Sequence, residues 1–307
     1  MCATSGLAQE RFIAQPELEL ARPLREASAV SEFRNSALVL IGHGSTVNAA
    51  SAESVREHAR ALRALNWFAE VKEIFWKETA DLRAEAGAVS ASRVFLVPMF
   101  AAEGYFSEEK IPQALGFEAR RGADWKRERE ENGKRFIYCK PVGTHPAMAE
   151  LIAGRARQVL DQFPFPTLPR TSDVSLFIAA HGTERHPASR KAVEEHAASL
   201  RASGRFADVQ PAFIEEEPRI SGCVDSSRTG IVVVAPFFIS EGMHAAEDLP
   251  VLLGAPARVV RERLSRGQRA WRNPTEMRGK LVWLAESIGT EPSIQEIILS
   301  RIKEFLR

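Results

Sequence analysis

The chain has 307 residues, enough for two domains of ordinary size that each bury a core. Hydrophobic residues make up 45% of the chain and charged residues 26%, the balance of a soluble globular protein. A net charge of +1 gives no general electrostatic field that would favour nucleic acid or an acidic membrane. We therefore expect no nucleic-acid partner and no membrane partner, and any anionic ligand must be held by local groups.

Residues 1–35 predict an N-terminal extension with no assigned role. Charged residues such as Glu10 and Arg11 interrupt every apolar run there, so no signal peptide is expected. No stretch of about 18 apolar residues occurs in the chain, which argues against a membrane span. Cys2, Cys139 and Cys223 form no CxxC pair and no zinc or iron–sulfur framework. Such a sparse, odd set favours a reducing compartment, and we expect a cytoplasmic protein.

An internal repeat organises the rest of the chain. At an offset of 138 residues, "LVLIGHGST" (38–46) aligns with "LFIAAHGTE" (176–184), so that His43 meets His181. The same offset aligns 55–64 with 193–202, 68–71 with 206–209, and 94–112 with 232–250. Near the C-terminus the offset becomes 146, since 142–155 aligns with 288–301, so the second copy carries 8 extra residues. The period is far longer than that of solenoid repeats, which indicates a duplicated domain.

Within each copy, apolar runs typical of buried strands alternate with helical patterns. The first copy predicts strands at 38–41, 71–75, 94–97 and 136–138, with helices between them and at the end. Continuous apolar strands separated by helices favour a parallel sheet covered on both faces, an α/β fold built twice. The proline-containing stretch 163–173 predicts a linker between a domain at 36–162 and a domain at 174–307.

Three polar residues follow three successive predicted strands of the second copy: His181, Glu215 and His244. In such sheets ligands bind beyond the carboxyl ends of the strands, so we expect these side chains to converge. Two imidazoles and a carboxylate suit a divalent first-row transition metal. In the first copy Lys77 and Phe106 stand at the positions of Glu215 and His244, which predicts a degenerate site there. His58 and His196 recur at matching helix positions and are interpreted as packing or surface residues.

These motifs resemble the sirohydrochlorin chelatase family, the class II chelatases of cobalamin and sirohaem synthesis. The resemblance rests on "LFIAAHGT", "AFIEEEP", "VVVAPFFISEGMHAAEDLP" and "IGTEPSIQEIILSR" and covers residues 36–307. It implies two α/β domains related by a pseudo-twofold axis, with a cleft between them. It implies ATP-independent insertion of Co²⁺ or Fe²⁺ into sirohydrochlorin, with cobalt favoured. By position it implies that His181, Glu215 and His244 are the catalytic residues and metal ligands.

The implied substrate is an anionic tetrapyrrole with eight carboxylates, and the metal ion is a second substrate, so no tightly bound cofactor is expected. We expect Gly182 to let the backbone come close to this substrate and Thr183 to donate a hydrogen bond to it. Arg185 and Arg190 are candidate carboxylate clamps, although each also fits an ordinary solvated arginine. His43 is expected to line the cleft from the first domain.

Two arginine-rich segments, 116–130 and 258–272, occupy matching places in the two copies. Their charge pattern predicts solvated helix faces, and the alternative is a rim that attracts the acidic tetrapyrrole.

Other functions fit part of the pattern. "AHGTER" resembles the Arg-His-Gly motif of histidine phosphatases, but Ala180 stands where that chemistry needs an arginine. A non-catalytic metal carrier or sensor would use the same ligands as a chelatase. Iron insertion for sirohaem synthesis is the alternative to cobalt insertion, because both metals suit these ligands. A monomer is plausible, since a duplicated chain can act as its own dimer.

Overall fold

Each copy of the repeat forms one five-stranded sheet in the computed structural model, which describes residues 33–46, 50–118, 125–183, 187–239 and 244–306. The first sheet consists of β1 (Ser36–Gly42), β2 (Glu70–Phe75), β3 (Arg93–Pro98), β4 (Glu128–Glu131) and β5 (Lys134–Tyr138). The second consists of β6 (Val174–Ala180), β7 (Asp208–Phe213), β8 (Ile231–Pro236), β9 (Thr275–Met277) and β10 (Lys280–Leu284). The strand orders, β2-β1-β3-β5-β4 and β7-β6-β8-β10-β9, are the same order in the two copies.

Helices connect these strands at matching places. The α-helices are α1 (Ala50–Ala64), α2 (Leu82–Gly87), α3 (Ile111–Ala114), α4 (Met148–Gln162), α5 (Pro187–Ala202), α6 (Cys223–Ser226), α7 (Leu249–Leu252), α8 (Ala257–Ser265) and α9 (Ile294–Lys303). A π-helical turn precedes α3 at Tyr105–Lys110, and another precedes α7 at His244–Asp248. Across the described residues, no helix is both long and apolar enough to cross a bilayer.

The central strands are buried on both faces, which explains their continuous apolar sequences. All seven residues of β1 and all seven of β6 are buried. Leu176 of β6 lies between Val209 of β7 and Val233 of β8, in parallel register with both. Parallel strands covered by helices on both faces are the α/β architecture that the sequence predicts, and the predicted fold class is confirmed.

The outer strands correct one expectation. Residues 128–130 do not form part of a solvated helix, because they lie in β4, which pairs antiparallel with β5. The tight turn decides this: Asn132 and Gly133 have φ values of 50° and 72°, as a type I′ hairpin requires. Opposite charges also face each other across the hairpin, with Arg135 donating to Glu128 at 2.6 Å. In the segment 258–272, α8 covers the first half and ends at Ser265.

The two halves form equivalent hydrogen bonds across the interface between them, here called the joint. His58 Nε2 lies 2.8 Å from the carbonyl oxygen of Gly289, and His196 Nε2 lies 2.8 Å from that of Gly143. A carbonyl oxygen only accepts, so Nε2 of each ring carries a proton. Burial lowers the pKa of both histidines, because their charged form is poorly solvated there. Both are therefore packing residues that join the halves, and the contacts follow a pseudo-twofold relation.

The carbonyls that receive these bonds lie in turns that only glycine fits. A Cβ atom on Gly143 would lie 2.2 Å from the backbone oxygen of Ala101, and one on Gly289 would lie 2.2 Å from that of Ile239. Around these turns α1 packs on α9 and α4 packs on α5. One hydrophobic core, containing Val97 of the first sheet and Val233 of the second, continues through the joint.

Candidate metal centre

The loop after β6 carries His181 beyond the carboxyl end of the strand. The His181 side chain is 45% exposed, and its Nδ1 atom lies 2.9 Å from the carbonyl oxygen of Gly182. Since that oxygen can only accept, Nδ1 carries the proton in this contact, and the ring's lone pair lies on Nε2. A backbone hydrogen bond of this kind orients metal-binding histidines and fixes their tautomer. Ligation of a metal by Nε2 of His181 stays a prediction.

Gly182 gives the loop its shape. Its φ of +70° lies in the left-handed region that favours glycine. A Cβ atom there would also lie 2.8 Å from Cγ of Glu216 and 2.9 Å from Cβ of Phe213. Any larger residue would push the loop off the strands beneath it, so the glycine after the histidine is a requirement of packing.

Glu216 holds this loop from below, and the sequence prediction missed it. Its Oε1 atom accepts a hydrogen bond of 3.1 Å from the backbone N–H of Thr183. Its side chain is only 12% exposed, and Oε2 lies 3.6 Å from the guanidinium of Arg190. Because a charged hydrogen bond in a nearly buried place is strong, Glu216 fixes the backbone that carries His181.

Glu215, one residue earlier, reaches the histidine itself. Its backbone N–H donates to the carbonyl oxygen of His181 at 3.0 Å. Its Oε2 atom lies 3.7 Å from Nδ1 of His181, and its side chain is 56% exposed. The structure thus brings together His181 and Glu215 from two neighbouring parallel strands, at a place open to solvent. An imidazole and a carboxylate in this position offer nitrogen and oxygen donors to a divalent cation.

The third predicted ligand, His244, begins the π-helical turn His244–Asp248. Its side chain lies outside the described part of the structure, as does the whole of Arg185. Among the described residues, no group of three His, Cys, Asp or Glu side chains gathers around one point. Ligation by three residues therefore stays a prediction.

Arg190, a predicted substrate clamp, contacts the protein's own groups. It donates to Glu194 at 2.7 Å and to the carbonyl oxygen of Glu217 at 2.7 Å, and its guanidinium lies 5.4 Å from the ring centre of Phe213. Together with its contact to Glu216, these bonds make Arg190 a support of the loop. Its direct contact with a substrate stays a prediction, as does that of Gly182 and of Thr183, whose backbone N–H is engaged by Glu216.

The first domain has the same loop. His43 Nδ1 lies 3.0 Å from the carbonyl oxygen of Gly44, whose φ is +66°. The backbone N–H of Ser45 donates to Oε1 of Glu78 at 3.1 Å, and Arg56 donates to Oε2 of Glu78 at 2.8 Å. Glu78 is therefore the counterpart of Glu216. The repeat contained this signal, because the two glutamates align at the offset of 138.

The positions of the first domain that match two of the predicted ligands hold different side chains. Lys77 stands at the place of Glu215, and its backbone N–H donates to the carbonyl oxygen of His43 at 2.9 Å. The ring of Phe106, at the place of His244, packs edge-on against His43 with 5.0 Å between ring centres. Trp76 and Tyr105 also contact Phe106, at 6.1 and 5.5 Å. An ammonium group and a phenyl ring offer no donor atoms to a cation, so this edge carries an aromatic cluster.

Comparison with known proteins places this pair of loops in one family. The CbiX family model matches the chain twice, at residues 37–159 and 175–305. The chain belongs to the CbiX family. The resemblance seen in the sequence is thereby confirmed.

Named relatives of this CbiX protein are chelatases. A probable sirohydrochlorin cobaltochelatase of Halobacterium salinarum is 35% identical over 275 residues, 86% of this chain and 90% of its own length. A sirohydrochlorin cobaltochelatase of Methanopyrus kandleri is 31% identical over 142 residues, 43% of this chain and 97% of its own.

Solved structures support the fold. A multi-domain Deinococcus radiodurans protein, described as structurally similar to chelatases, has a TM-score of 0.69 and 30% identity over 87% of this chain. The present chain spans only 54% of that protein's length. SirB from Bacillus subtilis, solved with Fe³⁺, has a TM-score of 0.60 and 17% identity, covering 88% of this chain and 94% of its own, and shows the fold alone.

Proposed function

We propose that this CbiX protein inserts a divalent metal ion into sirohydrochlorin without ATP, and that cobalt is its metal. The observation that carries the proposal is the pairing of His181 with Glu215 at the open edge of the second sheet, with the lone pair of His181 on Nε2. The named function of the Halobacterium salinarum relative, which is similar over most of the chain, supports the same conclusion. Both the metal ion and the tetrapyrrole are substrates.

His244 is proposed as the third ligand because of its counterpart in the first domain. Phe106 contacts the ring of His43 there, so a side chain at this position of the repeat reaches the loop histidine. An imidazole at the same position of the second domain would add a second nitrogen donor beside His181 and Glu215. Two imidazoles and a carboxylate bind Co²⁺ and Fe²⁺ alike, so the proposal of cobalt is supported by the names of the two cobaltochelatase relatives.

Metal insertion requires groups that bind and release the cation, groups that accept two protons, and a negative charge that offsets the cation. Neutral imidazoles bind the arriving cation and then release it to the pyrrole nitrogens. As the cation enters the macrocycle, two N–H bonds break and the two protons pass to basic groups at the site and then to water. The imidazoles serve as such acceptors near neutral pH, and Glu215 offsets the charge of the cation and of any protonated ring.

Metal insertion can be measured directly. The protein is mixed with sirohydrochlorin and Co²⁺, or with Fe²⁺ in parallel, and the change in the macrocycle's absorption is followed. We expect His244→Ala to lose most of the activity and His145→Ala, whose ring contacts Ser300 at 3.0 Å, to keep most of it. A carrier or sensor would bind cobalt and leave the macrocycle reacting at its uncatalysed rate, and that result would overturn the proposal.

A cytoplasmic location and a monomeric state stay predictions. Cell fractionation tests the first, and light scattering coupled to size-exclusion chromatography tests the second. A stable dimer at micromolar concentration would contradict the expectation that the duplicated chain pairs only with itself.

A further inference from the structure

The arginine-rich segment 258–272 concentrates positive charge on one part of the second domain. It contains six arginines and one glutamate, a net charge of +5 in a chain whose net charge is +1. Some of this charge is paired: Arg266 lies 2.8 Å from Glu262, and Arg269 lies 2.7 Å from Glu286. Within the described part of the chain, Arg263 and Arg272 have no carboxylate partner. The segment therefore keeps an excess of positive charge.

Three of these arginines line one cavity. Arg263, Arg269 and Arg272 surround a space of about 410 Å³, together with Trp271 and Phe163. Trp271 is buried, and the guanidinium of Arg269 lies 5.8 Å from the ring centre of Phe163. The Arg269 side chain is 60% exposed, so the space opens to solvent and an anion can reach the guanidinium groups. We call this space the arginine pocket.

Hydrogen bonds hold the pocket in shape. Arg263 Nη1 donates to the carbonyl oxygen of Ala270 at 3.0 Å, which ties α8 to the following loop. Trp271 Nε1 donates to the carbonyl oxygen of Val282 at 3.2 Å. The Asn273 side chain makes two bonds to the backbone of Leu284, at 2.8 and 2.9 Å. The loop is thus fixed to β10 before any ligand binds, which lowers the entropy cost of binding.

The pocket lies on the same edge of the second sheet as His181. Leu284, which Asn273 holds, is the last residue of β10, and β10 runs parallel to β8. In the sheet order, β8 separates β10 from β6, the strand that ends before His181. Two strand spacings amount to about 10 Å. In addition, α8 packs on the π-helical turn that begins at His244.

Arginines in the matching segment of the first domain, at positions that align with Asn273 and Thr275, are used internally. Arg127 lies 2.6 Å from the buried carboxylate of Glu108 and 4.6 Å from the ring centre of Trp125. Arg129 lies 2.6 Å from Glu131 and 4.1 Å from the ring centre of Phe136. Those guanidinium groups are already paired, whereas those of Arg263 and Arg272 line an open space. The difference falls in the domain that also holds His181 and Glu215.

We propose that the arginine pocket binds a carboxylate arm of the anionic tetrapyrrole and so orients the macrocycle over the metal centre. Arginine pairs with carboxylates through two parallel hydrogen bonds, and the pocket offers three guanidinium groups against the one carboxylate of Glu286. Its distance along the sheet edge suits a ring whose centre lies above His181 and whose carboxylates lie at its periphery. This inference rests on the proposed function and adds a substrate-binding site to it.

Binding without metal tests the pocket separately from catalysis. The probe is metal-free uroporphyrin, a tetrapyrrole with eight carboxylates, titrated against the protein by fluorescence. For Arg263→Gln combined with Arg272→Gln we expect the Kd to rise by about tenfold or more. Arg266→Gln, an exposed arginine of the same segment paired with Glu262, is the matched control and should leave the Kd unchanged. Unchanged thermal melting shows that each variant is folded.

The outcomes separate the two proposals. If the double variant has a raised Kd for uroporphyrin while the wild type inserts no metal, the pocket is supported and the chelatase proposal is defeated. Normal metal insertion with an unchanged Kd, and an unchanged KM for sirohydrochlorin in the double variant, would overturn the pocket alone. For coproporphyrin, which has four carboxylates, a smaller rise in Kd in the double variant would support recognition of the carboxylate arms. An equal rise in Kd in the Arg266→Gln control would show that the rise reflects the overall charge of the segment, and it would overturn the pocket.

Discussion

The loops after β1 and β6 share a backbone and differ in what surrounds it. Each has a histidine whose Nδ1 contacts the carbonyl of the next glycine, and each is held from below by a glutamate, Glu78 or Glu216. At the positions of two predicted ligands, the first half has Lys77 and Phe106 where the second half has Glu215 and His244. The shared loop is therefore part of the fold, and we propose that the two differing side chains determine its chemistry.

Removing the loop histidines should give the largest difference in cobalt insertion between the two halves. His181→Ala deletes a proposed ligand, and we expect cobalt insertion to fall by at least about 100-fold, since even the partners of ligands are worth 10- to 100-fold. His43→Ala should cost only a few-fold, because its neighbours are Lys77 and Phe106. Initial rates with saturating cobalt measure both. Equal losses would show that the two edges are chemically equivalent and would break the comparison.

Removing the supporting glutamates should give the next largest difference, in cobalt affinity. Glu216→Ala removes the acceptor for Thr183 N–H and the partner of Arg190, so we expect cobalt affinity to fall about 10- to 100-fold. Glu78→Ala removes the same support from His43 and should leave cobalt affinity unchanged. Calorimetric titration with Co²⁺ distinguishes the two. Because Gln keeps an acceptor oxygen, Glu216→Gln should recover part of the loss, and no recovery would argue against a positioning role.

Exchanging the two differing side chains should sharpen the comparison. We expect Lys77→Glu combined with Phe106→His to create a second cobalt site in the first domain, because the histidine loop is already in place there. The new site should be weaker than the native one by about tenfold or more, since its surroundings are aromatic. Equilibrium dialysis should then find a second bound Co²⁺ per chain. A stoichiometry that stays the same would show that the loop alone does not prepare the edge.

Substitutions at the joint should have the smallest effect, a change in the pH dependence of stability, and the two halves should behave alike there. Burial lowers the pKa of His58 and His196, so the folded protein keeps both neutral while the unfolded chain takes up protons below about pH 6.5. The unfolded state then binds more protons, and stability falls as the pH drops from that value towards the lowered native pKa, levelling off below it. Glu57 and Glu291 near His58 and Glu195 near His196 oppose the shift only in part.

Thermal melting at about pH 7.5 and about pH 5.5 measures this effect. We expect the wild type to lose a few degrees of Tm at the lower pH, and His58→Gln or His196→Gln to lose less, because glutamine does not titrate. Each variant should reduce the pH dependence by a similar amount. A large effect at one histidine and none at the other would show that the joint is not symmetric.

Sequence reasoning succeeded where one element carried its own signal. The apolar runs of β1 and β6 predicted buried parallel strands, and the positions of His181 and Glu215 directly after successive strands predicted that both lie at one sheet edge. It failed at β4, where alternating Glu and Arg residues resembled a helix face. The Asn132–Gly133 turn, with positive φ at both residues, instead makes this segment one strand of a hairpin. Charge periodicity is a weaker signal than a turn that requires positive φ at two positions.

The three glutamates 215–217 show why the site was only partly predictable. Glu215 faces His181, Glu216 accepts from Thr183, and Glu217 accepts from the backbone N–H of Arg219 at 3.0 Å. Nothing local distinguishes three adjacent carboxylates, because their partners come from different parts of the chain. The partners of His58 and His196 were hidden for the same reason, since they lie 231 and 53 positions away.

The reciprocal bonds of the joint have a consequence for inheritance. Each half contributes one donor and one acceptor, His58 and Gly143 from the first and His196 and Gly289 from the second. Two halves encoded in one gene always occur in equal numbers, and a mutation in one is never copied into the other. A substitution at one sheet edge therefore leaves the other edge unchanged, so Lys77 and Phe106 can stand in one half while Glu215 and His244 stand in the other.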